Sequence, residues 1–177
     1  MSKTIVIYKT KYGSAKKYAH WISQSLGADL FDVKDVSVQM LNSYDTIIYG
    51  GGLYAGGLLG FSFIKKNYEL IKNKNVVVFA VGSSLNPDKT EEEIKNRNLS
   101  DEMKEKVKVF FLRGALDYKK MKPFDKFLMF CLKKTIEMKK PEDWDDDAKG
   151  IIATYGKSVD FTDEKSINPI LQYINSL

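Results

Sequence analysis

The stretch Ile5-Val6-Ile7-Tyr8-Lys9-Thr10-Lys11-Tyr12-Gly13-Ser14-Ala15 decides the fold. Its first four residues are a short apolar, β-branched run, as in a strand buried within a parallel sheet. Hydroxyls at Thr10 and Ser14 and one glycine follow, and from Ala15 the pattern turns helical. Such a turn makes an anion cradle. Backbone N–H groups and Thr/Ser oxygens converge on one point, and the first helical turn adds a positive partial charge. The loop has too few glycines for the dinucleotide fingerprint GxGxxG, and no GxxxxGKS sequence is present, so neither motif is matched. A single phosphate suits the loop, and an ordinary capped strand–helix turn is the plain alternative.

The bulk numbers bound the rest. A chain of 177 residues fits one domain, 1–177, and can bury on the order of 70% of its unfolded surface. Its 44% apolar content and four prolines exclude a disordered chain. The longest apolar runs, 76–81 and 127–132, are six residues each, far short of the ~20 that span a bilayer. No cleavable leader is evident, and the expected location is the cytoplasm, with peripheral contact at a membrane as the variant. One cysteine, Cys131, and one histidine, His20, leave no disulfide and no metal or triad chemistry built on imidazole. The net charge of +5 is unevenly placed: nine Lys/Arg against Asp117, Asp125 and Glu137 give +6 between Arg113 and Lys140, so the rest sums to −1. Charge confined to one segment argues against a nucleic-acid binder.

Strands and helices alternate. The pattern predicts strands at 5–9, 29–33, 46–49, 76–81 and 107–112. Helices are predicted at 15–26, at 58–71 and, from a Thr90/Glu93 capping box, at 90 to about 106. Five strands separated by helices imply an α/β fold, a parallel sheet wrapped on both faces. Ligands of such sheets sit beyond the carboxyl ends of the strands. The glycine and hydroxyl clusters at 10–15, 50–57, 82–86 and 114–118 all fall at that end. After the fifth strand the alternation breaks into a basic, aromatic stretch, five acids around Trp144, and a last helix within 162–177. Pro169 either starts that helix or kinks it.

With these residues in view, Thr10-Lys11-Tyr12-Gly13-Ser14-Ala15 resembles the flavodoxin T-x-T-G-x-T loop, with tyrosine at the third position and alanine at the last. The chain is similar to the flavodoxin-like family and within it to the subgroup containing menaquinone-dependent protoporphyrinogen oxidase. The segments concerned are Gly50-Gly51-Gly52-Leu53-Tyr54-Ala55-Gly56, Arg113-Gly114-Ala115-Leu116-Asp117-Tyr118, Phe124-Asp125-Lys126-Phe127-Leu128-Met129 and Val159-Asp160-Phe161-Thr162-Asp163. The resemblance implies a doubly wound five-stranded parallel sheet of order 2-1-3-4-5, with an inserted basic amphipathic segment at about 118–158, and FMN as cofactor. It implies that Thr10, Tyr12, Gly13, Ser14 and Ala15 hold the phosphate and that Gly52, Leu53, Tyr54 and Ala55 line the flavin ring and ribityl chain. Ser83, Ser84, Leu85, Asn86, Gly114, Ala115, Leu116 and Asp117 would supply the opposite wall. In the oxidase the loop aromatic falls one place later, at the position of Ala55, which leaves the stacking residue open.

Tyr54 offers a stacking ring with a polar handle. The glycines at 50–52 allow close approach and positive φ. Lys9, Lys11 and the basic insertion would favour negative charge on a reduced flavin, giving a less negative potential than in flavodoxins with an acidic flavin edge. Within the insertion, Phe124, Phe127, Leu128, Cys131, Leu132 and Ile136 form one helical stripe, with Cys131 as a small core hydrophobe. Such a stripe packs on its own domain or a twin subunit, covers the flavin pocket, or lies on an anionic membrane. Two main functional classes follow. One is an FMN electron-transfer protein or small flavin-dependent oxidoreductase with a redox partner protein. The other is a quinone-dependent dehydrogenase of a porphyrinogen-like substrate. A flavin-free interaction module is the third. No catalytic acid or base is discernible, and no metal is expected.

Overall fold

The computed structural model describes residues 3–177. Alternating side chains along its strands explain the layering. Ile5, Ile7, Ile47, Tyr49, Val78 and Ala80 point to one face, and Val6, Ile48, Val77 and Phe79 to the other, all of them buried. Strands apolar on both faces require cover on both. On the first face this comes from residues such as Ile64, Ile71, Ile94 and Met103, on the second from Tyr18, Ala19, Ile22 and Ile170.

The strands are β1 (Thr4–Lys9), β2 (Asp29–Asp32), β3 (Thr46–Tyr54), β4 (Gly57–Leu58), β5 (Asn75–Gly82) and β6 (Lys108–Arg113). β2-β1-β3-β5-β6 is a parallel series, and β4 pairs antiparallel with β3 alone. With that hairpin set aside, the five parallel strands have the expected order 2-1-3-4-5. β3 is longer than predicted and carries straight through Gly50, Gly51 and Gly52, none of which has positive φ. The first two are needed for space: Gly50 lies between Tyr8 and Phe79 in register, where a Cβ would overlap the Phe79 ring, and a Cβ on Gly51 would crowd Leu58 and the Leu59 carbonyl.

The first helix, α1 (Ser14–Leu26), ends where Gly27 turns left-handed at φ 60° and Ala28 N–H donates to the Ser23 carbonyl at 2.9 Å. The helix predicted at 58–71 is divided. Its start belongs to β4, Gly60 follows at φ 71°, and only then come α2 (Ser62–Lys66) and α3 (Tyr68–Ile71). The helix predicted from Thr90 is α4 (Pro87–Asn98) followed by α5 (Asp101–Lys106). Asn86 caps α4, accepting from Lys89 N–H at 3.2 Å with Pro87 in the first turn, and Ser100 caps α5. Thr90 is a full turn inside, its hydroxyl donating to the Asn86 carbonyl at 2.7 Å.

After β6 the chain forms β7 (Ala115–Asp117), α6 (Pro123–Glu137), a 3-10 turn (Pro141–Asp143), α7 (Asp146–Thr154) and β8 (Ser158–Asp160). β8 returns antiparallel to β7, so the insertion leaves and rejoins the domain at one place. α8 (Asn168–Asn175) closes the chain with Pro169 in its first turn, so the proline starts the helix. The stripe read along α6 is divided between two sides: Leu128 and Ile136 turn inward, whereas Phe124, Phe127 and Cys131 are exposed. Cys131 is therefore not a core residue.

Candidate functional site

Because β1, β3, β5 and β6 run parallel, the turns after them gather at one end of the sheet. A cavity of about 430 Å³ opens there. Of the residues expected at the site, Thr10, Tyr12, Ser14, Ala15, Gly52, Leu53, Tyr54, Ala55, Ser83, Gly114, Ala115 and Leu116 line it. Gly13 and Asp117 instead line an adjoining polar cleft with Lys17, Lys120, Asp160 and Thr162, which shares Tyr12, Ser14, Ala115 and Leu116 with the cavity.

Ser84, Leu85 and Asn86 lie off both. Ser84 Oγ and Leu85 N–H donate to the Asp147 carboxylate, at 2.9 and 2.6 Å for the shortest contacts, and Asn86 caps α4. Ser84 and Leu85 thus anchor the insertion and Asn86 shapes the turn into α4, and none of the three lines the cavity.

The start of α1 is left open. Gly13, at φ 101°, precedes it; no side chain caps it, and its first turn holds no acid. Thr10 Oγ1 accepts from Gly13 N–H at 2.9 Å, and Ser14 Oγ accepts from Ala115 N–H at 3.0 Å. Each hydroxyl thus uses an oxygen lone pair on the backbone and keeps its O–H to donate. Tyr12 differs: its ring lines the cavity, but its hydroxyl donates to Asp125 and accepts from Lys122 N–H at 3.2 Å.

The opposite wall turns on the hairpin of β3 and β4. Leu53 pairs with Leu58 and Tyr54 with Gly57, leaving Ala55-Gly56 as a two-residue turn with both φ positive, 48° and 78°. That is the tight hairpin turn whose twist suits adjacent strands, here with an alanine in a position that favours glycine. It presents Tyr54 at the cavity.

Asp125 was missing from the sequence-derived site. It stands in the first turn of α6 and is 5% exposed. Its carboxylate accepts from Lys11 Nζ at 2.7 Å, Tyr54 OH at 2.6 Å and Tyr12 OH, and Lys11 Nζ also lies 3.9 Å over the Tyr54 ring. Burial alone would push this carboxyl up, but the three donors outweigh it and hold it at about 2; the same pairing raises Lys11. One carboxylate thereby ties α6 to the loops after β1 and β3. Leu128, Met129 and Leu132 follow on the same side of α6 and roof the cavity, with Leu59 and Met121 at its edges. The signal in the sequence was an acid at three, four and seven residues before those apolar positions, which is one helical face.

Among the described residues no His/Cys/Asp/Glu group could hold a metal ion, and no helix is long and apolar enough to cross a membrane.

A parallel sheet covered by helices on both faces, with a cavity over its strand ends, is the doubly wound α/β architecture. The chain matches the flavodoxin domain over residues 5–143 and belongs to that family. An uncharacterized protein of Methanocaldococcus jannaschii is 33% identical over 55 residues, which cover 30% of this chain and 37% of that relative, little more than a third of its length. Similar solved structures include a flavodoxin, WrbA-like protein from Agrobacterium tumefaciens (26% identity, 49% of this chain and 63% of that one, TM-score 0.41). A flavodoxin from the domain Archaea shows 19% identity over 85% of this chain and 99% of its own, with a TM-score of 0.43.

Proposed function

We propose that this protein binds flavin mononucleotide and acts as a flavin-dependent oxidoreductase on a small molecule. The observation that carries the reading is the open start of α1, with no side-chain cap, no acid in the first turn and the Thr10 and Ser14 hydroxyls beside it. A helix N-terminus in that state suits a phosphate. The cavity volume falls in the range of about 300–1,000 Å³ typical of small-molecule sites.

Thr10, Gly13, Ser14 and Ala15 would hold the phosphate. Gly52, Leu53, Tyr54 and Ala55 on one side, and Ser83, Gly114, Ala115 and Leu116 on the other, would enclose the ring and ribityl chain. Once bound, the flavin supplies electron exchange in steps of one or two. The chain's own part is to bind, orient and exclude water. Leu128, Met129 and Leu132 keep the mouth apolar, and Asp125 keeps Tyr54 and Lys11 in place. At neutral pH Asp125 is an anion with its donors satisfied, so it is no proton donor. A carrier that docks on other proteins needs an open flavin edge, and the α6 roof favours a small-molecule substrate over that role.

The second reading, quinone-dependent dehydrogenation of a porphyrinogen, draws on the apolar roof of the cavity and on the excess of lysines in the insertion that carries it, a combination suited to a large apolar acid. Spectra of the purified chain with FMN and with riboflavin test the main proposal. The expected result is flavin absorbance and at least about tenfold tighter binding of FMN, through charge-assisted bonds to its phosphate. Equal affinities would overturn the phosphate assignment, and no uptake of either would overturn flavin binding. Turnover of protoporphyrinogen IX with a quinone supports the second reading, and its absence removes it.

A further inference from the structure

We infer that the outer face of α6 is a docking surface for an anionic lipid bilayer. A helix that is apolar on one stripe buries that stripe, but α6 is apolar on two. The side carrying Asp125, Leu128, Met129 and Ile136 turns to the cavity and the domain. At 3.6 residues per turn, Phe124, Phe127, Phe130, Cys131 and Met138 fall on the opposite side. Phe124 is 64% exposed, Phe127 58%, Phe130 46% and Met138 87%, and Cys131 is exposed with them. Three phenylalanines within two turns make a contiguous apolar patch, which differs from single exposed hydrophobes scattered over a surface.

The flanking charge selects the occupant. The segment from Arg113 to Lys140 carries nine Lys/Arg and three acids, a net +6, against −1 for the rest of the chain. On the helix, Lys133 and Lys134 share the single partner Glu137. A second copy using the same face would set two such segments against each other, since closed dimers are self-complementary and like charges oppose them. An acidic protein surface would meet the lysines and leave the rings against polar groups. An anionic bilayer meets both: rings enter the boundary between headgroups and acyl chains while lysine stems reach back to the phosphates. The acids after Lys140 lie beyond the C-terminal end of α6. Asp147 is turned to Ser84 and Asp145 caps α7, so the contact falls to the first turns of α6.

The inference is independent of the flavin reading, and so is its test. The 177-residue chain is floated with vesicles of mixed phosphatidylglycerol and phosphatidylcholine, and separately with phosphatidylcholine alone, at low salt. The expected result is at least about tenfold more binding to the anionic vesicles, and a similar loss in a Phe124→Ser, Phe127→Ser, Phe130→Ser variant. A Lys119→Glu, Lys122→Glu variant, which leaves the rings intact, should also lose binding. Cys131 is the chain's single cysteine, so a polarity-sensitive thiol dye placed there should shift to shorter wavelength on anionic vesicles only. No flotation with anionic vesicles, or unchanged flotation of the ring variant, overturns the proposal. A dimer in sedimentation that the ring variant abolishes also overturns it and assigns the face to a second copy.

Discussion

A carboxylate with almost no solvent contact must find its donors inside the protein, and Asp125 takes them from Lys11, Tyr12 and Tyr54. Its folded pKa of about 2 lies below the ordinary 3.8. A depressed carboxylate contributes stability that is complete above its unfolded pKa and lost as pH falls through the folded one. Asp125→Asn should therefore be less stable than wild type near neutrality by about 2 kcal/mol, the difference shrinking between about pH 4 and pH 2. Urea melts of both proteins across that window check it, and a gap independent of pH would place the loss in packing instead. At the other end of the cavity, Ser14→Asp separates an anion site from a plain turn. A carboxylate in the first turn of α1 complements the helix dipole, so the ligand-free protein should melt no lower than wild type. FMN affinity should fall at least about tenfold, because the new charge opposes a phosphate. A fluorescence titration and a thermal melt on one preparation give both signs.

Hairpin and lid show where element-level reading succeeds and stops. The hydroxyl and glycine clusters were legible as neighbours because parallel strands send every carboxyl-end turn to the same edge, although Ser84, Leu85 and Asn86 turn away from the cavity there. The Ala55-Gly56 turn was less so, since the triple glycine before it drew attention as the flexible point while the left-handed residue is Ala55. An alanine there costs about 1–2 kcal/mol relative to its right-handed alternative. Ala55→Gly should recover part of that, raising stability by roughly 0.5–1 kcal/mol, and Ala55→Val should lower it, because a branched side chain tolerates positive φ least. Chemical denaturation of the two variants measures both signs. For α6, hydrophobic spacing announced a helix but not its orientation, because apolar residues occupy both sides. Asp125, one of three acids in a basic run, entered the sequence reading only through the charge balance and the segment 124–129, yet it fixes which side faces in. Thr90 and Glu93 misled for a related reason: a capping box is a local pattern, and the Asn86-Pro87 pair one turn earlier is the stronger start.

Over the whole molecule, charge placement bears on how the cavity would tune a bound flavin. Reduction adds negative charge, so a positive surround raises the potential. Lys9 and Lys11 were expected to contribute, but Lys11 is matched by Asp125 at 2.7 Å and Lys9 has Asp32 at 3.6 Å. Lys17 and Lys120 face Asp160 at 3.4 Å and Asp117 at 3.3 Å. Charges paired at such distances largely cancel at the cavity, which leaves the excess lysines of the insertion to supply the field from further away. A field of that kind is screened by salt, with a Debye length falling from about 30 Å at 0.01 M to about 3 Å at 1 M. The two-electron midpoint potential of bound FMN should therefore be less negative than in a flavodoxin with acidic surroundings, and it should become more negative as salt rises. Lys119→Glu with Lys122→Glu should produce the same displacement at low salt and leave little further response to added salt. A redox titration of both proteins at the two ionic strengths decides the matter, because a potential indifferent to salt and to these charges would assign the tuning to contacts inside the cavity, Tyr54 and the glycine-lined walls foremost.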